Sequence, residues 1–452
     1  MARVTTTYVC SECESQSPVQ LGKCPRCGSW GSMQPRTSGG SASGSVRSSG
    51  ARRAAPTATA SIERLADVSR TGLTRVSSGL GEVDRVLGGG WVAGAALLIA
   101  GEPGIGKSTL LLQLAHEAIA VGRSTLYVAG EESPAQVKLR AERLGISSEL
   151  HLTRETDARI LAEHIRQNAP KLVIVDSVQT LLASDDGTPG SLTQVRDGTA
   201  LLTQAAKDSD STLVLIGHIT KQGSIAGPKV IEHMVDATLA LESASGFRVL
   251  RAMKNRFGAA GEVGVFEMTS EGMTAIANPS EAFLAERPVG VPGSVVVATL
   301  EGQRPLLLEV QALAAKSPYA SPRRIVQGLD ARRVDVVLAV LERRLELPLA
   351  NLDVYVNVAG GLRLTDPGTD LAVALAVYSA VTNRPVPEGT VVAGEVGLAG
   401  ELRRVNQLER RALEADRAGF RHFIGPQDVD TPRTQNYAVS SLAAALQAVW
   451  EV

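Results

Sequence analysis

Apolar residues in this chain gather into short, nearly continuous runs, and helical patterns separate the runs. Residues 95–100, 124–129, 172–176 and 212–217 are such runs. They read as strands buried on both faces of a sheet. Residues 110–115, which follow the first run after a short loop, carry leucines at helical density. Residues 76–90 show helical spacing and end in three glycines, a stop signal. Strands alternating with helices predict an α/β domain. Its sheet is mostly parallel, and its active groups lie at strand C-terminal ends. Over 277–292 proline, glycine and charge mix, which marks a boundary. The alternation then resumes, with strands predicted over 294–300 and 306–311 and helices over 332–345 and 371–381.

The first strand runs into Gly101-Glu102-Pro103-Gly104-Ile105-Gly106-Lys107-Ser108, followed by Thr109. This fits G-x-x-x-x-G-K-[ST] between a strand and a helix, the context that a phosphate loop requires. The glycines let backbone N–H groups close round phosphate oxygens, and the helix N-terminus adds a favourable dipole. Lys107 is the expected contact for the β- and γ-phosphates and Ser108 the expected Mg²⁺ ligand. The chain is therefore expected to bind ATP or GTP. Asp176, closing the run at 172–176, fits the acid that supports Mg²⁺; a helix cap is the alternative. Glu131 and Glu132 follow the strand at 124–129, where either carboxylate can activate the attacking water or sit at a helix start. His218, Thr220 and Lys221 lie past the strand at 212–217. A polar group there can sense the γ-phosphate, and an ordinary surface loop reads equally well.

All four cysteines fall in the first 27 residues: Cys10, Cys13, Cys24 and Cys27. Two Cys-x-x-Cys pairs can hold one Zn²⁺ tetrahedrally. Disulfides and a redox dithiol are the rival readings. So small a module has little core and needs its metal to fold. Its partner, nucleic acid or protein, is open. Residues 36–60 are mostly Ser, Gly, Ala, Thr and Pro and read as a flexible linker. The expected organisation is thus 1–35, 36–60, 61–278 and 279–452.

Composition narrows the classes. The net charge of −1 argues against a global field for nucleic acid, so any such contact is a local patch. Aromatics at 3% disfavour extensive base stacking. No apolar run suits a bilayer span and the N-terminus has no signal-peptide core, so a cytoplasmic protein without membrane attachment is expected. Arg323, Arg324, Arg332, Arg333, Arg343 and Arg344 cluster near Lys316, as a phosphate-binding patch or as a set of ion pairs.

Three segments carry a family resemblance: Gly101–Thr109, Tyr127-Val-Ala-Gly-Glu-Glu-Ser133, and Leu172-Val-Ile-Val-Asp-Ser177. They resemble the RecA/KaiC/DnaB-type ATPase core. Lys254-Asn-Arg-Phe-Gly258 resembles the signature of the bacterial RadA (Sms) family, and the four-cysteine N-terminus agrees. Residues 365–371 and 391–402 resemble the Lon protease domain, implying a C-terminal Lon-like α+β domain. The resemblance implies a homo-hexameric ring ATPase on single-stranded and branched DNA. Such a ring acts in repair beside a recombinase and drives branch migration. It also implies that Lys254 and Arg256 reach the nucleotide of a neighbouring subunit. A KaiC-like signalling ATPase, a Lon-type protease and a scaffold without hydrolysis are the alternatives. Lon peptidases use a Ser–Lys dyad. Here Gly368 stands at the serine position, with Thr369 one residue on. Lys316 is the last lysine, and the stretch ending at Arg411 offers only arginine, which cannot act as a base.

Overall fold

The computed structural model describes residues 6–10, 15–19, 21–26, 30, 32–37, 64, 74–146, 149–185, 187–218, 229–244, 246–319 and 321–451. The chain divides into two compact units, Met1–Val68 and Ser69–Val452.

In the first unit the strand Thr6–Cys10 pairs antiparallel with Gln16–Ser17 on one side and Met33–Thr37 on the other. Cys10 and Cys24 are buried with Met33 in one small cluster. Cys13 and Cys27 lie outside the described residues. The strand Met33–Thr37 runs two residues past 35, and residues 38–60 of the expected linker lie outside the described residues.

The second unit is built on a nine-stranded sheet. Six parallel strands form its body, in the order Ala237–Ala244, Ala96–Gly101, Thr212–His218, Leu172–Asp176, Thr125–Ala129 and His151–Thr153. Ala96–Gly101, Thr125–Ala129 and Leu172–Asp176 are buried throughout, which explains their unbroken apolar runs. Phe247–Asn255, Val263–Thr269 and Gly272–Ala275 extend the sheet antiparallel from one side. The helix after the phosphate loop, Lys107–Ala120, buries Leu110, Leu111, Leu112 and Leu114 against the sheet.

The expected helix over 76–90 is shorter than its pattern. Arg75–Val76 is a strand, and the helix spans only Gly81–Leu87. Ser77 Oγ and Ser78 N–H both donate to the Asp84 carboxylate, which holds the chain extended up to Leu80. Gly88, with φ of 80°, ends the helix in the left-handed conformation that favours glycine.

The C-terminal part forms a seven-stranded mixed sheet around the hairpin Ser294–Glu301 and Arg304–Lys316. The helices Ala331–Leu345 and Asp370–Thr382 pack on it. The 277–292 stretch, read as a boundary, contains the helix Pro279–Leu284. Asn278 caps it, and its Phe283 is buried. One apolar core runs from Val249, Val263 and Val265 of the first sheet through Phe283 to Val295, Leu308 and Leu341. Buried charge ties the same seam: Arg304 pairs with Glu82, and Arg251 with Glu301. The two sheets therefore share a core.

Candidate active site

The phosphate loop turns at the C-terminal end of Ala96–Gly101, the central strand of the nine. Gly104 and Gly106 have φ of 76° and 113°, so a side chain at either would be strained. A Cβ on Gly106 would also meet Met268 Cε at 2.5 Å. Arg248 Nε donates to the Ile105 carbonyl at 3.0 Å and braces the loop from the strand Phe247–Asn255.

Lys107 is buried and folds back into the loop. Its ammonium donates to the Gly101 and Glu102 carbonyls, each at 2.9 Å, and lies 3.3 Å from His218 Nδ1. Burial lowers its pKa, against the raising effect of the Asp176 and Glu131 charges. The ammonium is thus held where phosphate oxygens replace carbonyls as its partners.

Asp176 ends the adjacent strand. It is buried, accepts from Tyr127 Oη at 2.7 Å and is hydrogen-bonded by Ser108. Burial raises its pKa, and those two hydrogen bonds oppose the rise. A hydroxyl and a carboxylate side by side at the loop form the oxygen donor set that suits Mg²⁺.

The two glutamates separate. Glu131 faces the phosphate loop: Ser177 Oγ donates to its carboxylate, and His218 Nε2 is 3.1 Å away. The network is satisfied when His218 carries its hydrogen on Nε2 and accepts from Lys107 on Nδ1. Glu132 instead pairs with Arg140 of the helix Pro134–Arg143. The structure thus joins Lys107, Ser108, Glu131, Asp176 and His218 into one site. Thr220 and Lys221 lie outside the described residues. Tyr127, Ser177 and Arg248 are additions that the sequence reading did not single out for a role. Only the placement of Tyr127 and Ser177 in the strand-end motifs hints at them.

Lys254 and Arg256 do not reach this site. Lys254 Nζ donates to the Glu232 and Val235 carbonyls at 2.6 and 2.8 Å. Arg256 Nη1 pairs with Asp236 at 3.1 Å, and the other oxygen of Asp236 accepts from Ala96 N–H. Both cations therefore cluster at the start of Ala96–Gly101, whereas the phosphate loop leaves its end. A strand of that length separates the two points by about 15 Å. Arg256 keeps more than half its side-chain surface exposed.

At the Lon-like position the structure holds an ion pair. Arg411, fully buried, donates to Asp366 and to the Ala298 carbonyl at 2.8 Å. A Cβ on Gly368 would lie 3.0 Å from Arg411 Nη1. Thr369 Oγ1 is buried and donates to the Asp366 carbonyl. Gly368 supplies no nucleophile, and the neighbouring cation cannot accept a proton. The arginine cluster is dispersed. Arg333 binds Asp370 through two bonds, Arg324 turns onto the Leu349 and Leu352 carbonyls, and Arg344 onto that of Leu398. Lys316, Arg323, Arg332 and Arg343 remain exposed.

The open parallel sheet with its phosphate loop, metal-site pair and facing carboxylate defines a P-loop ATPase. A family model described as an AAA domain matches residues 63–224. Models described as subunit ChlI of Mg-chelatase and as a rubredoxin metal binding domain match residues 329–429 and 8–35. The chain is 44% identical to the DNA repair protein RadA of Bacillus subtilis over 94% of this chain and 93% of that protein. It is 45% identical to that of Mycobacterium tuberculosis H37Rv over 99% and 94%. With that of Streptococcus pyogenes serotype M1 it shares 42% identity over the full length of both. The chain belongs to the RadA family. Among the described residues no helix is long and apolar enough to cross a membrane.

Proposed function

We propose that this protein is a DNA-dependent ATPase of recombinational repair. It acts in the cytoplasm as a homo-hexameric ring that moves DNA strands and drives branch migration. The relatives named above are DNA repair proteins. The observation that carries the reading is the placement of Lys254 and Arg256 at the end of the sheet away from their own phosphate loop. Cations so placed serve a neighbour's nucleotide. There they stabilise charge building on the transferred phosphoryl group. Hydrolysis at each interface then depends on how two subunits meet, which couples the reaction to strand movement.

Within one subunit, the N–H groups of Gly101, Glu102, Pro103, Gly104, Ile105 and Gly106 (Pro103 excepted, since it has none) and of Thr109 surround the phosphates, while Lys107 exchanges carbonyls for phosphate oxygens. Ser108 and Asp176 hold Mg²⁺, which neutralises charge on the β- and γ-phosphates when bound. Glu131 takes the proton of the attacking water, and His218 links that carboxylate to Lys107. Glu132 holds its helix through Arg140 and takes no part. Cys10, Cys13, Cys24 and Cys27 bind a structural Zn²⁺, and the burial of Cys10 beside Cys24 fits that use. The C-terminal domain contacts DNA phosphates through Arg332 and Arg343. Eleven residues apart on one helix, these two project within about 20° of each other. Single-stranded and branched DNA and a recombinase are the partners.

The test is ATP hydrolysis with and without single-stranded DNA, for the wild type and Arg256→Ala. Stimulation by DNA that Arg256→Ala removes supports the proposal. Hydrolysis indifferent to DNA would favour a signalling ATPase.

A further inference from the structure

A cleft of about 440 Å³ lies on the seam between the two sheets, and no phosphate-loop residue lines it. Four arginines line it. Arg85 comes from the helix Gly81–Leu87, and Arg304 begins the strand Arg304–Lys316. Arg410 and Arg417 come from the helix Leu408–Arg417. Seven residues apart, this last pair projects to the same side of the helix within about 20°.

Their charges are only partly matched. Arg304 is 8% exposed and pairs with Glu82. That bond and its bond to the Val263 carbonyl both leave from Nη1, so Nε and Nη2 have no hydrogen-bond partner among the described residues. Arg410 bonds only the neutral amides of Gln303 and Gln407. Arg417 is three-quarters exposed and 4.0 Å from Glu414, whose carboxylate is already held by Ser280. Arg85 shares Glu82 with Arg304. Four guanidinium groups thus face two carboxylates, leaving two positive charges in a concave site. Pro279, Pro305 and Leu413 supply an apolar wall beside them.

We propose that this cleft binds a phosphorylated ligand of nucleotide size, separate from the ATP that is hydrolysed. A phosphate or diphosphate group matches the excess charge, guanidinium forks suit its oxygens, and the apolar wall suits a base or sugar. The cavity has the volume of small-ligand sites. Because the cleft joins both sheets, its occupant bridges the ATPase core and the C-terminal domain.

Calorimetric titration of the full chain with ADP tests this. Wild type takes up two ADP per chain. Lys107→Ala keeps one, and adding Arg410→Gln and Arg417→Gln to Lys107→Ala weakens that one at least tenfold. Both arginines are exposed, so the substitutions leave the fold intact, which circular dichroism checks. One ADP per wild-type chain, or binding to Lys107→Ala that ignores the arginine changes, would overturn the proposal. Displacement of the ADP held by Lys107→Ala by a single-stranded oligonucleotide would assign the phosphate contacts to a DNA strand. That result would overturn the small-ligand assignment.

Discussion

At the scale of single residues the site turns on which carboxylate faces the phosphate loop. Glu131→Gln should lower kcat by about 10²–10⁴-fold while ATP still binds, because the proposed general base is lost and the phosphate loop is untouched. Glu132→Gln should leave kcat within a few-fold and cost at most about 1 kcal/mol of stability, the worth of a partly exposed ion pair with Arg140. Steady-state kinetics beside nucleotide binding separates the two. Asp176 gives a pH signature. Burial raises its pKa, so its protonated form persists above the ordinary carboxylate range and competes with Mg²⁺. Mg²⁺ affinity should therefore rise with pH through that raised pKa. The Tyr127 hydroxyl opposes the rise by hydrogen-bonding the ionised form. Tyr127→Phe should consequently move the acid limb of the kcat profile to higher pH; an unmoved limb would deny Tyr127 this influence. The motif at 101–109 was legible because its spacing is set by phosphate geometry. The division of labour between Glu131 and Glu132 was not, since it depends on Arg140, Ser177 and His218, which only the fold brings near.

At the scale of elements, strands were the most legible. Residues 172–176 coincide with their expected run because that strand is apolar on both faces. The 76–90 pattern over-reached because Asp84 binds Ser77 and Ser78 and delays the helix to Gly81. Helix Pro279–Leu284 was hidden in a stretch whose mixed proline, glycine and charge read as a break. Asn278 and Pro279 instead start its first turn, one as the cap and the other as the first helical residue. The loss of the peptidase dyad was readable from the missing lysine, but its replacement was not. Burial opposes ionisation of Asp366, yet hydrogen bonds and charge from Arg411, with backbone N–H bonds, hold its pKa below the usual range. Arg411→Met should leave a buried carboxylate uncompensated and cost about 3–5 kcal/mol, read by urea denaturation. Asp366 has its pKa lowered on folding, so its contribution is present above the ordinary carboxylate pKa and lost as pH falls through the lowered value. The deficit of Arg411→Met should accordingly shrink in acid; a loss under 1 kcal/mol at neutral pH would show the pair to be dispensable.

At the scale of the whole molecule, the nine-stranded and seven-stranded sheets share one core, through which the proposed ATP-driven movement would pass to the C-terminal part. Residues on both sides of the division expected at 278 pack into one core, which pattern reading cannot see because it does not show which apolar faces meet. In the proposed ring each ATP site is completed by the neighbour's Lys254 and Arg256. Mixing two inactive variants tests this most directly. Lys107→Ala lacks the phosphate contact and Arg256→Ala lacks the cation supplied across the interface. Each alone should hydrolyse little ATP. In an equimolar, randomly assembled mixture about a quarter of head-to-tail interfaces join an intact loop to an intact Arg256. Hydrolysis should rise to about a quarter of the wild-type rate. Activity that stays at the level of the separate variants at every mixing ratio would contradict completion of the site in trans.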